Sequence, residues 1–344
     1  MVFTTPAIGA LRRRFPDARI TYLVEAAAEP VVRHHPAIDE VIVADRPRGL
    51  ARWRYDARLA RRIRGEHFDL VIDFHGGPRS RLLTWASGAP QRIGYRLPLR
   101  SWGYTVRVPW TRSLVPPRHS VSNQWDLIAT LGIGEPTRTT DPVVMPVDAP
   151  SVARVSARLA AAGVAATAPI VVVHVSAGNP FRRWPAASFA QVAATLALEE
   201  PRRRIVITSG PSESDAAEAV AAQARALAGA AGGSIVRSGE FDLSELRALV
   251  DRAALYIGGD SGPLHIAATS PTPIVALFGP TLPERSLPWR DPSVRSIAVD
   301  AGPLPCRPCH QRHCVPGDFR CLTAISPTMV LDAARSVLRV EAGL

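Results

Sequence analysis

The segment Tyr256-Ile-Gly-Gly-Asp-Ser-Gly-Pro-Leu-His-Ile-Ala-Ala-Thr concentrates residue types that hold an anion. An apolar strand is expected to end at Ile257. Gly258 and Gly259 then allow a tight turn, and Pro263 suits the first position of a helix running through His265 to Thr269. Such a turn presents the N–H groups of Ser261 and Gly262 together with a positive helix end, which is chemistry for a diphosphate. Ser261 adds a hydroxyl, and His265 reaches the same anion from the first turn. Simple capping of the helix by Asp260 or Ser261 would give the same local pattern. A second stretch, Val173-His-Val-Ser-Ala-Gly-Asn-Pro-Phe-Arg-Arg-Trp-Pro, reads as a strand followed by a polar loop. There Ser176 and the loop amides cradle phosphate, Arg182 or Arg183 supplies charge, and His174 reads as a packed core histidine. A third strand end, Thr208-Ser-Gly-Pro-Ser-Glu, puts Glu213 where a carboxylate takes ribose hydroxyls or merely favours a helix start. None of the three fits G-x-G-x-x-G or a Walker loop, which disfavours a dehydrogenase or a P-loop nucleotidase.

These loops need strands to hold them, and short apolar runs alternate with helical patterns throughout the chain, as in α/β folds with parallel sheets. The first half predicts strands at 19–24, 40–43, 69–73 and 104–108, with helices at 51–64 and 78–87. Three prolines within 141–150 mark a connection. The alternation restarts with strands at 170–175, 204–208, 234–236, 255–257 and 274–277, and helices at 188–198, 212–227 and 243–252. The 344 residues therefore divide into domains at 1–147 and 148–326, with a final helix in 327–344 that crosses back to the first domain. Two Rossmann-like domains facing across a cleft is the economical architecture.

No apolar run approaches the ~20 residues of a membrane-spanning helix. Net charge is +11, and all 41 cations are arginine; replacement of every lysine in a biased genome explains that absence. Arginine also offers a planar fork for phosphate and carboxylate. The run from Arg46 to Arg64 mixes arginines with aromatics and reads as a solvated helix face or as a surface for an anionic partner. Four cysteines lie between Cys306 and Cys321. Cys306, Cys309, Cys314 and Cys321 have the density of a structural zinc site, the alternative being reduced, unligated thiols.

Together, Thr4-Thr-Pro-Ala, Asp73-Phe-His-Gly-Gly-Pro-Arg-Ser, Arg92-Ile-Gly-Tyr, Arg182-Arg-Trp-Pro, Gly259-Asp-Ser-Gly-Pro-Leu-His and Leu277-Phe-Gly-Pro-Thr resemble glycosyltransferase family 9, the lipopolysaccharide heptosyltransferases. The resemblance implies a GT-B fold, an ADP-heptose donor on the second domain and an anionic glycolipid acceptor on the first. It implies inverting transfer without an essential metal, a cytoplasmic protein, and peripheral contact with the inner face of the inner membrane. Donor contacts would come from Ser176, Arg182, Glu213, Asp260, Ser261, Gly262 and His265. Asp73, His75 and Arg79 become acceptor-side candidates.

A Rossmann-like domain opens with a strand and a turn, whereas this chain opens with what reads as the helix that follows them. The family's catalytic Gly-Asp pair would fall immediately before Met1. The expectation is a coding start placed downstream of the true one, and an upstream reading frame without a strand and Gly-Asp overturns it. Two rival functions stand beside the transferase: a donor-binding homologue lacking its base, and a nucleic-acid-binding protein with a zinc knuckle. Generic, steeply salt-dependent DNA binding would favour the last; with the resemblance, no nucleic-acid partner is expected. A sugar-nucleotide epimerase shares the fold and is separated by its product.

Overall fold

The computed structural model describes residues 1–98, 101–111 and 116–341, in two compact units, Met1–Val144 and Met145–Leu344. Residues 342–344 of the expected final segment lie outside the described residues.

The first unit contains strands β1 (Thr21–Glu25), β2 (Glu40–Ala44), β3 (Leu70–Ile72), β4 (Gln91–Arg96) and β5 (Val106–Pro109). Its helices are α1 (Thr5–Arg14), α2 (Leu50–Gly65), α3 (Pro78–Ala86) and α4 (Ser120–Ala129). In the second unit the strands are β6 (Ile170–His174), β7 (Arg204–Thr208), β8 (Ile235–Val236), β9 (Leu255–Gly259), β10 (Ile274–Phe278) and β11 (Ser296–Asp300). The helices there are α5 (Ala149–Ala161), α6 (Ala186–Glu199), α7 (Ser214–Ala228), α8 (Leu243–Asp251), α9 (Gly262–Ala267), α10 (Pro283–Ser286), α11 (Arg320–Thr323) and α12 (Pro327–Glu341). The α/β expectation holds, and every strand pair is parallel.

The second unit forms one sheet in the order β11-β10-β9-β6-β7-β8. Numbered from its own first strand this is the doubly wound order 3-2-1-4-5-6, reversing between β6 and β9. Burial on both faces explains the unbroken Val and Ile runs of β6 and β7. Val171, Val173, Ile205, Ile207, Leu255, Ile257, Val275 and Leu277 join the apolar faces of α6 and α7 in one core. Val330, Leu331, Ala334 and Val337 of α12 enter the second unit's core, spaced as one helical face.

The first unit is built differently. Its strands form a pair, β1-β2, and a triplet, β3-β4-β5. Removing β6 from the second unit would leave β8-β7 and β9-β10-β11, the same connectivity. β1 and β3 are therefore both edge strands, and neither is covered as β6 is: Leu23 is 36% exposed, while Val171, Val172 and Val173 are at 0%. A cavity of about 820 Å³ is bordered by Tyr22 and Leu23 of β1, Leu70 and Ile72 of β3, Leu11 of α1 and Ile63 of α2. Strand edges with open N–H and C=O groups protect their amides poorly. Hydrogen exchange is therefore expected to run at least about a hundredfold faster in β1 and β3 than in β6 and β9. Equal protection in the four strands would contradict this account of the first unit.

Candidate functional site

The strand reversal between β6 and β9 is where a doubly wound sheet binds ligands, beyond the carboxyl ends of its strands. The register pairs His174 with Gly258, so the loop after β6 runs beside the loop after β9. A Cβ on Gly259 would sit 3.2 Å from the backbone oxygen of Arg182. Glycine thus lets the Pro180–Arg182 turn lie against the end of β9. Arg182 Nη1 there donates to the backbone oxygen of Asp260 at 3.1 Å and to its Oδ2 at 3.2 Å.

Asp260 is 3% exposed and is the hub of this corner. Its Oδ2 also accepts from Thr281 Oγ1 at 2.6 Å, and its Oδ1 lies 3.5 Å from His265 Nε2. Burial pushes the Asp260 carboxyl up, but His265, the Thr281 hydroxyl and the Arg182 charge outweigh it and hold it below its usual range. Capping does not explain the turn. Ser261 is the residue before α9, yet its side chain makes no capping bond, and its buried Oγ has no hydrogen-bond partner. Nothing lies within 4 Å of a Cβ built on Gly262, so the backbone is open there. Arg182, Thr281 and His265 thus hold one carboxylate, and the buried Ser261 hydroxyl beside it has no partner.

Two contributors escape a local reading of the sequence. Thr281 follows β10, in the Gly-Pro-Thr of the family signature, where its sequence gives no sign of a role. Gln311, inside the cysteine-rich loop, accepts from Arg182 Nε at 2.6 Å and from Asn179 Nδ2 at 3.0 Å. Its 129-residue separation from Arg182 leaves no periodicity to detect.

The other expected donor residues are placed nearby but already engaged. Ser176 Oγ lies 3.0 Å from His174 Nε2 and accepts from the Gly210 amide at 2.8 Å, joining the loops after β6 and β7. Glu213 pairs with Arg183 Nη2 at 2.5 Å, so the expected ribose contact would have to compete with an ion pair. His174 is the packed core histidine expected, at 2% exposure with Thr208 Oγ1 3.0 Å from its Nδ1.

In the first unit Asp73 follows β3. Its Oδ1 accepts from the amides of His75 and Gly76, each at 2.9 Å, and its Oδ2 accepts from Tyr104 Oη at 2.7 Å. The absence of a side chain at Gly94 makes this possible, since a Cβ there would meet the Tyr104 ring at 2.4 Å. Arg79 donates to Asp56 Oδ1 at 3.0 and 2.7 Å and to the Asp45 carbonyl at 2.7 Å, which makes it a brace between α2 and α3. Of the three acceptor-side candidates only His75 is exposed, and it borders the cavity.

The four cysteines are unpaired and share one neighbourhood. Burial pushes the Cys321 thiol up, Cys306, Cys314 and Cys309 push it the same way, and Arg307 opposes them. The donor set suits zinc, but among the described residues no three ligating side chains converge closely enough to hold a metal ion.

A model of glycosyltransferase family 9 (heptosyltransferase) matches residues 56–318. The chain belongs to glycosyltransferase family 9. It is a glycosyltransferase. Lipopolysaccharide heptosyltransferase 3 of Escherichia coli K12 is 27% identical over 99% of this chain and 96% of its own length. A family 9 glycosyl transferase structure from Veillonella parvula superposes with a TM-score of 0.82 at 24% identity, covering 98% of this chain and 94% of that one. The Escherichia coli ADP-heptose lps heptosyltransferase II structure gives 0.77 at 20% identity, over 99% and 96%. These superpositions agree with the GT-B class expected from the motifs.

Burial pushes His174 down to about 4, with the Glu240 charge pulling partly back. The folded state therefore stays unprotonated at pH values where the unfolded chain, with an ordinary value near 6.5, takes up a proton. Stability should fall as pH drops from about 6.5 to about 4, by about 3 kcal/mol in full. Urea unfolding is expected to show a flatter slope over this window in His174→Gln; an unchanged slope would refute the assignment.

Proposed function

We propose that this family 9 enzyme transfers a heptose from ADP-heptose to a lipopolysaccharide core-type acceptor, with inversion and without a catalytic metal. The observation carrying the donor half is the Arg182–Asp260–Ser261 corner at the strand reversal. There a guanidinium is fixed by a buried carboxylate and by Gln311, next to a hydroxyl with no partner. A prepositioned cation and nearby donors stabilise the charge that develops on a leaving diphosphate, and they cost little reorganisation when it forms. His265 contributes from the first turn of α9. The family and its lipopolysaccharide relatives support the sugar and the acceptor class, and neither supports a nucleic-acid-binding protein.

Transfer also requires a carboxylate to deprotonate the acceptor hydroxyl. Asp73 already accepts three hydrogen bonds, which makes it an organiser of the turn after β3. We infer that the base arrives on one further strand seated between β1 and β3, in the position β6 holds in the second unit. The split sheet and the cavity between its halves support this. A glycolipid acceptor further implies peripheral membrane contact, and no described helix is long and apolar enough to cross a bilayer. A structural zinc on Cys306, Cys309, Cys314 and Cys321 is proposed on the donor set alone.

The decisive assay incubates ADP-heptose with deacylated core acceptors and follows ADP release, using the chain alone and the chain preceded by its in-frame upstream residues. The extended protein is expected to turn over, and the chain alone to bind ADP with little turnover. Arg182→Ala should lower kcat/KM roughly a hundredfold. Gln311→Ala should raise the donor KM about tenfold with a smaller change in kcat, as expected of a residue that positions Arg182. Full activity in Arg182→Ala would remove the donor assignment. Metal analysis of purified protein should find about one zinc per chain; a stoichiometry near zero disproves that part.

A further inference from the structure

The sequence of α2, Leu-Ala-Arg-Trp-Arg-Tyr-Asp-Ala-Arg-Leu-Ala-Arg-Arg-Ile-Arg-Gly, holds six arginines and one acid. Leu59 and Ile63 are buried and fix which side faces the unit. At 3.6 residues per turn the opposite side carries Leu50, Trp53, Arg54, Arg58, Arg61 and Arg64. Leu50 is 83% exposed and Trp53 71%. The neighbouring acids are turned away from this side. Asp56 pairs with Arg79 at 2.7 Å and lies 3.7 Å from Arg52, while Glu40 takes Arg19 and Arg62. Arg54, Arg58, Arg61 and Arg64 make no side-chain hydrogen bond or ion pair among the described residues.

We propose that this face of α2 docks on an anionic phospholipid bilayer. A helix face adapted only to water intersperses acids with its cations at i,i+4. Here Arg54, Arg58 and Arg61 follow one another at four and three residues, a spacing that repels in solution and that a negative surface relieves. Cations alone would fit any polyanion. Leu50 and Trp53 decide for a bilayer, because a large aliphatic and an indole side chain, exposed together beside arginines, have an apolar sink there. A nucleic-acid backbone gives Leu50 none. The proposal extends the reading of a lipid-borne acceptor, but the binding it describes is measurable without any transfer.

Co-sedimentation of the whole chain with vesicles tests it, using pure phosphatidylcholine and mixtures with phosphatidylglycerol at low and high salt. The wild type is expected to bind only the anionic vesicles and to release them as salt rises. Arg54→Gln, Arg58→Gln and Arg61→Gln combined should weaken binding about a hundredfold, near fivefold for each charge. Trp53→Ser should weaken it roughly tenfold. All four positions are exposed, so circular dichroism should match the wild type, and ADP release by the upstream-extended protein with a deacylated, water-soluble acceptor should stay unchanged. Vesicle binding that is absent, or equal in wild type and triple variant, overturns the proposal. So does binding of duplex DNA, lost in the triple variant, without vesicle binding. Vesicle binding that follows the variants, in an upstream-extended protein with no transferase activity, would sustain the docking face and sink the transfer reading instead.

Discussion

The second unit's chemistry rests on one buried carboxylate. Removing Asp260 from water costs several kcal/mol unless opposite charge and hydrogen bonds repay it. Arg182, Thr281 and His265 provide both, from the ends of three different parts of the sheet. The dependence runs in both directions. Arg182 is only 28% exposed and sits on a three-residue turn, which by itself would not fix so long a side chain. Asp260 and Gln311 hold the guanidinium from two sides, so its charge is directed before any ligand arrives. Rigid placement of this kind separates a cation that stabilises a leaving group from one that merely attracts it.

The network also explains why a loop rich in cysteine and proline belongs to the site. Gln311 adopts a left-handed backbone with φ +56°. Nearby, Arg307 pairs with Asp300 at 3.1 Å and donates to the Thr281 carbonyl at 2.7 Å. The loop thus grips both Arg182 and the segment that presents Thr281. Whatever stabilises the loop, metal or packing, also stabilises the geometry of the donor corner. A feature that reads from sequence as separate from catalysis is joined to it by two side chains.

How much of this was legible follows from the distance over which each signal acts. The strands β6, β7, β9 and β10 and the turn from Gly259 to His265 are local patterns, and they stand where the sequence puts them. Gln91–Arg96 does not read as a strand from sequence because Arg92 and Gly94 break its apolar run. Arg92 is spent on the carbonyls of Gly103 and Ala89, and Gly94 on making room for Tyr104. The edge strand Ser296–Asp300 is short and half-exposed, which weakens its signal. Glu213 and Ser176 lie at the expected strand ends, but no local pattern reveals that Arg183 and the Gly210 amide already hold them. Thr281 and Gln311 reach the site only through tertiary folding. Sequence thus identifies the strand ends that carry chemistry more readily than the partners that fix it.

The absence of lysine looks at first like one fact with one cause, yet the arginines have separable roles that their partners reveal. Arg247 and Arg290 are almost fully buried and donate to backbone carbonyls, the former at Met145 and Thr269, the latter at Ser270, Thr272 and Arg295. The planar guanidinium lets one side chain satisfy several acceptors, which an ammonium on a flexible stem matches poorly. Arg154 and Arg158 both reach Glu245, tying α5 to α8, and their charge is neutralised within the fold. Arg182 is neutralised only in part, by a carboxylate that His265 and Thr281 also engage. On the outer face of α2, Arg54, Arg58, Arg61 and Arg64 have no counter-charge among the described residues. A genome that avoids lysine accounts for which cation is used everywhere, but not for where its charge is cancelled. The donor corner and the outer face of α2 are two places where arginine charge is incompletely cancelled among the described residues, and they match the two surfaces that the proposed diphosphate donor and lipid-borne acceptor would use.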